Sequence, residues 1–137
     1  MSYDGIIAII QNDDKFVLIH NEGTGNITFP AGAREGNEDI RKTLKREVKE
    51  ETGLKSEEYE VIDTGIIHEF TYNKKKEGRT GLHVRQKVFL IKTKKWDLKP
   101  EDPDSSIHGW FTKDDVINKL TFNDAKKLFK KVIKSVQ

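Results

Sequence analysis

Gly32-Ala-Arg-Glu-Gly-Asn-Glu-Asp-Ile-Arg-Lys-Thr-Leu-Lys-Arg-Glu-Val-Lys-Glu-Glu-Thr-Gly-Leu54 runs from a glycine-bearing loop through a helical pattern and out through a second glycine. Residues 39–52 have helical periodicity, and Gly53 is a natural C-terminal stop. On a wheel of about 100° per residue, Ile40, Leu44 and Val48 fall within roughly 80° of one another, the face that packs on a sheet. Glu51 lands inside that sector and Glu47 beside it, with Glu50 on the neighbouring ridge. Two or three carboxylates therefore occupy the inward end of an apolar stripe. Like charges at these spacings repel, and a buried carboxylate without a partner is costly. Arg46, four residues before Glu50, can neutralise one of them. A hard divalent cation with oxygen ligands can satisfy the set. Lys42, Lys45 and Lys49 lie on the far side of the wheel from Glu51, so an ordinary solvated acidic face is the poorer explanation.

Outward from this helix the chain alternates short β-branched runs with turns. Residues 6–10 and 16–19 read as a hairpin around Gln11-Asn12-Asp13-Asp14. Residues 21–26 are loop, 27–29 a brief extended piece, and 31–37 a second loop. Residues 59–72 form a long strand candidate interrupted at Gly65, and 82–92 another, joined by a lysine-rich hairpin loop. The stretch 96–106 contains Pro100 and Pro103 and reads as irregular. Trp110 and Phe111 open a last helical region, with helices over 113–120 and 123–135. Strands before and after one central helix predict an α/β fold with a mixed sheet between helices, in a single domain over residues 1–137.

Composition bounds the function. Hydrophobic residues make up 34% and charged residues 35%, and 25 basic against 23 acidic residues leave a net charge of only +2, which does not argue for nucleic acid. With no cysteine, disulfides, thiolate zinc sites and cysteine nucleophiles are excluded. No apolar run approaches a bilayer's thickness, and the N-terminus lacks a signal-peptide pattern, so no membrane association and a cytoplasmic location are expected.

The segments Gly32-Ala-Arg-Glu-Gly-Asn-Glu38 and Arg46-Glu-Val-Lys-Glu-Glu-Thr-Gly-Leu54, seven residues apart, resemble the Nudix box, G-x5-E-x7-R-E-U-x-E-E-x-G-U with U a bulky aliphatic. Every fixed position is met. The resemblance implies the Nudix fold, an α/β/α sandwich, and a Nudix-type pyrophosphohydrolase. The expected activity is hydrolysis of a diphosphate linkage in a nucleoside diphosphate derivative, a nucleoside triphosphate or dinucleoside polyphosphate foremost, with Mg2+ or Mn2+ as cofactor. Glu47, Glu50 and Glu51 match the metal-holding positions, joined by the Ala31 backbone carbonyl. Arg46 matches the arginine that orients the glutamates, Glu38 belongs to its supporting network, and Gly32 and Gly53 shape the loop and end the helix. Glu47 or Glu50 would be the base that takes the attacking water's proton. The alternative is a Nudix-fold nucleotide-binding or regulatory domain without catalysis.

Two departures stand out. Ala31 replaces a common glycine, so its carbonyl must be presented with ordinary backbone angles. Gly36 is followed by Asn37 where a glycine is frequent, and asparagine is expected to tolerate a left-handed turn there. Relatives with an extra catalytic glutamate place it near the motif tryptophan. None precedes Trp110 here, and Glu101, Asp102 and Asp104 are offset, which favours a base on the helix.

Candidate substrate contacts are Arg34 and Arg85 for phosphate, Phe70 and Tyr72 for a base, and Trp110 beside it. Tyr72 lies eighteen residues past Leu54, near where dinucleoside polyphosphate hydrolases of the family often carry a tyrosine; simple packing is the bland alternative. No proline falls between Leu54 and Pro100, which argues against ADP-ribose. His20, His83 and His108 lack metal-ligand spacing. The lysine runs at 74–76 and 92–95 read as solvated rather than RNA-binding. The implied partner is a small nucleotide substrate, and the sequence leaves homodimer formation open.

Overall fold

The computed structural model describes residues 3–71 and 83–136. In chain order the elements are β1 (Gly5–Asn12), β2 (Lys15–Asn21), β3 (Ile27–Thr28), β4 (Ala31–Ala33), α1 (Ile40–Thr52), β5 (Tyr59–Thr71), β6 (His83–Thr93), β7 (Ser105–Phe111), α2 (Lys113–Lys119) and α3 (Asn123–Val136), with a 3-10 turn at Ser56–Glu58. The strands form one mixed sheet in the order β3-β2-β1-β6-β5. β1 and β6 are parallel, and the other pairings are antiparallel.

β1 and β2 pair only at their hairpin base, Gln11 opposite Phe16 and Asn12 opposite Lys15. Asp13 carries the turn at φ 56°, a left-handed conformation that aspartate tolerates better than most residues. Beyond the base the two strands part. β4 takes the freed edge of β1, and β3 takes that of β2, while β7 lines the other edge of β2. The loop expected over residues 31–37 is thus a strand for its first three residues. Trp110 and Phe111, expected to open a helix, are instead the end of β7, opposite Val17 and Phe16.

Alternation along β1 divides the core in two. Ile6, Ala8 and Ile10 face α1, with Leu44 and Val48 from the helix and Phe89 from β6. Ile7 and Ile9 face α2 and α3, where Phe129 packs edge-on to Phe16 at 5.0 Å. A fully buried Leu or Val of this kind contributes about 1.5–3 kcal/mol. The α1 wheel is as expected: Leu44 and Val48 are buried on the sheet, and Glu51 is buried with them. The helix starts at Asp39, whose carboxylate accepts the Arg41 N–H at 2.9 Å. It ends at Gly53 with φ 78°, where a side chain would also collide with the Lys99 backbone.

Candidate active site

β4 and the last two turns of α1 face each other where β1 leaves its partner. The Ala31 N–H donates to Glu51 Oε2 at 2.9 Å. Ala31 itself avoids positive φ, as expected, because Asp13 is the sole non-glycine in that region among the described residues. Gly32 lies under the Glu47 carboxylate so closely that a Cβ at position 32 would occupy the carboxylate's own space. That contact, rather than backbone freedom, explains the box's first glycine. The left-handed turn before Glu38 falls on Gly36, at φ 54°, and not on Asn37.

Arg46 is the hub. Its Nε donates to Glu38 Oε2 and one terminal nitrogen to Glu38 Oε1, both at 3.0 Å, a two-pronged bond that matches guanidinium to carboxylate. The same nitrogen reaches the Ala33 carbonyl at 2.8 Å, and the other donates to Glu47 Oε1 at 2.7 Å. Glu35 and Glu50 stand further off, at 3.4 and 3.5 Å. The spacing argument pairs Arg46 with Glu50. In the fold the loop returns Glu38 to it, and Glu38 and Glu47 become its close partners. Thr43 Oγ1 adds a bond to Glu38 at 2.8 Å. Bonds from Arg46 and Thr43 hold the Glu38 carboxyl down to about 2.

Glu51 is different. It is 9% exposed and, among the described residues, has no ion pair. Burial first, and the charge of Glu47 next, push its carboxyl up to about 9; Asp102 and Glu50 push the same way. Burial also raises the Glu47 carboxyl, against the pull of Arg46. Asp102 is a member of this cluster that periodicity could not reveal. Its N–H and that of Glu101 donate to the Glu50 carbonyl at 2.9 and 2.8 Å, and Lys99 N–H donates to the Thr52 carbonyl. The segment 99–102 thereby caps the end of α1 and brings the charge of Asp102 to bear on Glu51.

Among the described residues no three His, Cys, Asp or Glu side chains are gathered closely enough to enclose a metal ion, and Arg46 is what holds Glu47 near Glu50. The donor set nevertheless fits a hard divalent cation. It is all oxygen, carries several like charges, and includes a buried carboxylate that lacks a cation.

The remaining candidates are dispersed. Asp4 links Arg34 and Arg85: its carbonyl accepts the Arg34 N–H and its carboxylate the Arg85 N–H, both at 2.8 Å. The Arg85 guanidinium is engaged by Glu69 at 2.9 Å and lies over Tyr3. Phe70 stacks on His68 at 5.5 Å, and His68 lines a groove with Asp124, Lys127 and Lys131 of α3. These two residues therefore lie on the α3 side of β5, across the sheet from the α1 carboxylates. Tyr72 and the lysines at 74–76 lie outside the described residues. Trp110 packs in the α1-side core, edge-on to Trp96 at 5.1 Å, and its indole N–H donates to the Trp96 carbonyl. His20 and His83 pair with Glu22 and Glu69, and His108 sits against Phe111.

A loop, helix and carboxylate set of this kind on a mixed sheet between helices is the Nudix arrangement. A NUDIX domain family model matches residues 1–132, and the chain belongs to the Nudix family. Solved structures with the same fold include the Ap4A hydrolase of C. elegans, at 19% identity and TM-score 0.74 over 100% of both chains. The E. coli dihydroneopterin triphosphate pyrophosphohydrolase matches at 16% identity and TM-score 0.77, over 98% of this chain and 99% of that one. The NUDIX domain of Shewanella oneidensis NrtR, solved with ADP ribose, matches at 14% and 0.75, over 100% and 90%. No curated protein matches the sequence.

Proposed function

We propose that this chain, a single domain over residues 1–137, hydrolyses a diphosphate linkage in a nucleoside diphosphate derivative with Mg2+ or Mn2+. A nucleoside triphosphate or dinucleoside polyphosphate is the favoured substrate. The observation that carries the reading is Glu51: a carboxylate buried beside Glu47, without a cationic partner among the described residues, aimed at the β4 backbone. Protein alone does not repay that burial. Glu47, Glu50, Glu51 and the Ala31 carbonyl would hold the cation. Bound there, it supplies positive charge for the diphosphate oxygens and makes water easier to deprotonate. Water attacks one phosphorus, its proton passes to Glu47 or Glu50, and the bond from that phosphorus to the bridging oxygen breaks. Arg46, fixed by Glu38, keeps Glu47 oriented while this happens. Two of the structural neighbours are named for Ap4A and for dihydroneopterin triphosphate, which supports a polyphosphate substrate.

No helix among the described residues is long and apolar enough to cross a membrane, and we place the enzyme in the cytoplasm. The test is chromatographic detection of the cleaved products (nucleoside mono- and diphosphates, sugar phosphate, pyrophosphate or phosphate), with Mg2+, from a panel of nucleoside triphosphates, dinucleoside polyphosphates and nucleotide sugars. Turnover of one class that EDTA abolishes is the expected result. Tight binding of one compound with turnover of none would instead make the chain a nucleotide-binding domain.

A further inference from the structure

β5 ends the sheet. It pairs with β6 alone, and among the described residues no strand lies along its other edge. Which of its backbone groups face that edge follows from β6. Asp4, on the β1 side, takes both backbone groups of Arg85: the Arg85 carbonyl accepts the Asp4 N–H, and the Arg85 N–H donates to the Asp4 carboxylate, each at 2.8 Å. Glu69, opposite Arg85, therefore finds no backbone partner in β6, and its N–H and C=O point outward. Alternation turns those of Ile67, opposite Lys87, the same way, while His68 and Phe70 bond to β6.

Beside this edge lies a groove of about 320 Å3 between β5 and α3. Residues 66–69 of β5 line it in unbroken succession, and Lys127, Leu128 and Lys131 form its helical wall with Asp124. Successive side chains of a strand point to opposite faces. Four residues in a row line one groove only where the strand presents its edge, so the outward backbone of Ile67 and Glu69 belongs to the wall. The Glu69 carboxylate is engaged elsewhere, by the Arg85 guanidinium at 2.9 Å.

The helical wall is basic. α3 carries five lysines, at positions 126, 127, 130, 131 and 134, against the single carboxylate of Asp124. Among the described residues none of the five has an ion pair. Lys127 and Lys131, one helical turn apart, repel each other. Lysines that protect a sheet edge from pairing stand on the edge strand itself. β5 has none from Tyr59 to Thr71. These stand across the groove, where they attract an acidic strand instead of blocking one.

We propose that this groove binds an extended acidic segment of another protein, which adds to the sheet as a strand beside β5. Its N–H and C=O groups pair with those of Ile67 and Glu69, and acidic side chains at alternate positions reach Lys127 and Lys131. Nucleic acid carries the charge but lacks donors and acceptors at strand spacing. A second copy of this chain lacks the charge: on the α3 face it would bring Ile66, His68 and Phe70 to the seam, and the two α3 lysine rows would meet.

The probe is a fluorescein-labelled hexapeptide that alternates glutamate and valine, titrated by anisotropy against the full chain, with amide hydrogen exchange followed residue by residue by NMR. In the free protein the Ile67 and Glu69 amides should exchange faster than those of His68 and Phe70. The peptide should bind saturably and slow the exchange at Ile67 and Glu69. The double variant Lys127→Glu, Lys131→Glu, at two exposed positions, should weaken binding at least about tenfold while hydrolysis and the unfolding midpoint stay as in the parent. The same peptide N-methylated throughout keeps every charge and cannot pair as a strand, so it should not bind. Absence of binding by the parent peptide overturns the proposal. So does equal binding of the N-methylated peptide, which would leave charge alone, or binding unchanged in the double variant. Protection of the Ile67 and Glu69 amides by an oligouridylate and not by the peptide would make the ligand a nucleic acid, and their protection in a peptide-free dimer would make it a second copy; each result overturns the assignment.

Discussion

Replacing Glu51 by glutamine separates the stability of this fold from its function. In the metal-free protein the folded state keeps the Glu51 proton up to about pH 9, whereas the unfolded chain releases it near the ordinary value of 4.5. Between those limits the folded state binds one more proton than the unfolded state. Stability is therefore fully present below 4.5 and falls as pH rises, by about 1.4 kcal/mol per pH unit, levelling off above 9. Three units of that slope, from 4.5 to 7.5, amount to roughly 4 kcal/mol, a large share of the 5–15 kcal/mol typical of a domain. Glutamine keeps an oxygen for the Ala31 N–H and has nothing to ionise. In EDTA, Glu51→Gln should match the parent near pH 4.5 and exceed it by a few kcal/mol at pH 7.5–8, measured by urea unfolding across the pH range. Mg2+ should then narrow the gap: at a hundred times its Kd it stabilises the parent by about 2.7 kcal/mol and the variant far less. Hydrolysis by the variant should fall by orders of magnitude. Parallel pH slopes in EDTA, or a variant less stable than the parent at pH 8, would refute the claim that Glu51 is buried without compensation. Equal stabilisation of both proteins by Mg2+ would refute its role as a ligand.

Other expectations follow from the same contacts. Gly32→Ala puts a methyl group where the Glu47 carboxylate lies; because the end of a flexible side chain can swing away, thermal stability should change little while kcat falls at least about tenfold, as expected when a reacting group is displaced. Arg46→Lys cannot reproduce the two-pronged bond to Glu38 and should lower kcat about tenfold or more with a smaller change in KM, read from steady-state kinetics. Glu38 itself, held at about 2, stays ionised throughout the working range, so the acid limb of the pH-rate profile should be unchanged in Thr43→Val, which removes one of its bonds. Glu47→Gln should be severe and His108→Gln mild at saturating Mg2+, since His108 packs with Phe111 on β7 rather than on the α1 carboxylates; the opposite ranking would move the proton acceptor to the segment before Trp110.

What the sequence disclosed depended on how local the cause was. The α1 stripe, its buried Glu51 and its glycine stop all follow from one helix's period and end chemistry, and all are found in place. β4 was hidden because three residues of Ala-Gly-Ala have no pattern of their own. They become a strand when β1 parts from β2 and offers an edge. β7 was hidden because its alternation is broken: the pairing shifts between Leu18 and Ile19, Gly109 sits opposite Leu18, and the apolar Trp110-Phe111 pair then mimics a helix start. The Arg46 contacts show the same limit, because spacing along the helix offers only Glu50, while the loop supplies Glu38 from eight residues away.

Asp102 marks the far end of that scale, and its position has a physical cause. The last carbonyls of a helix lack partners within it, and near a core they must find donors elsewhere. At the end of α1 the Glu50 and Thr52 carbonyls are met by Glu101, Asp102 and Lys99 N–H groups. Any chain segment docked there for its backbone delivers its side chains to the mouth of the carboxylate site. Here the delivered residues include an aspartate whose charge acts on Glu51 in the direction that Glu47 and Glu50 already do. A segment selected only to cap the helix would carry neutral or basic residues, which suit a helix C-terminus better. Acids at this place make electrostatic sense when a cation is shared with the box. Asp102→Asn should accordingly make the metal-free protein more stable at alkaline pH and at the same time weaken its affinity for Mg2+, followed by unfolding in EDTA and by metal titration of the folded protein. Unchanged Mg2+ affinity would reduce Asp102 to a residue of the cap.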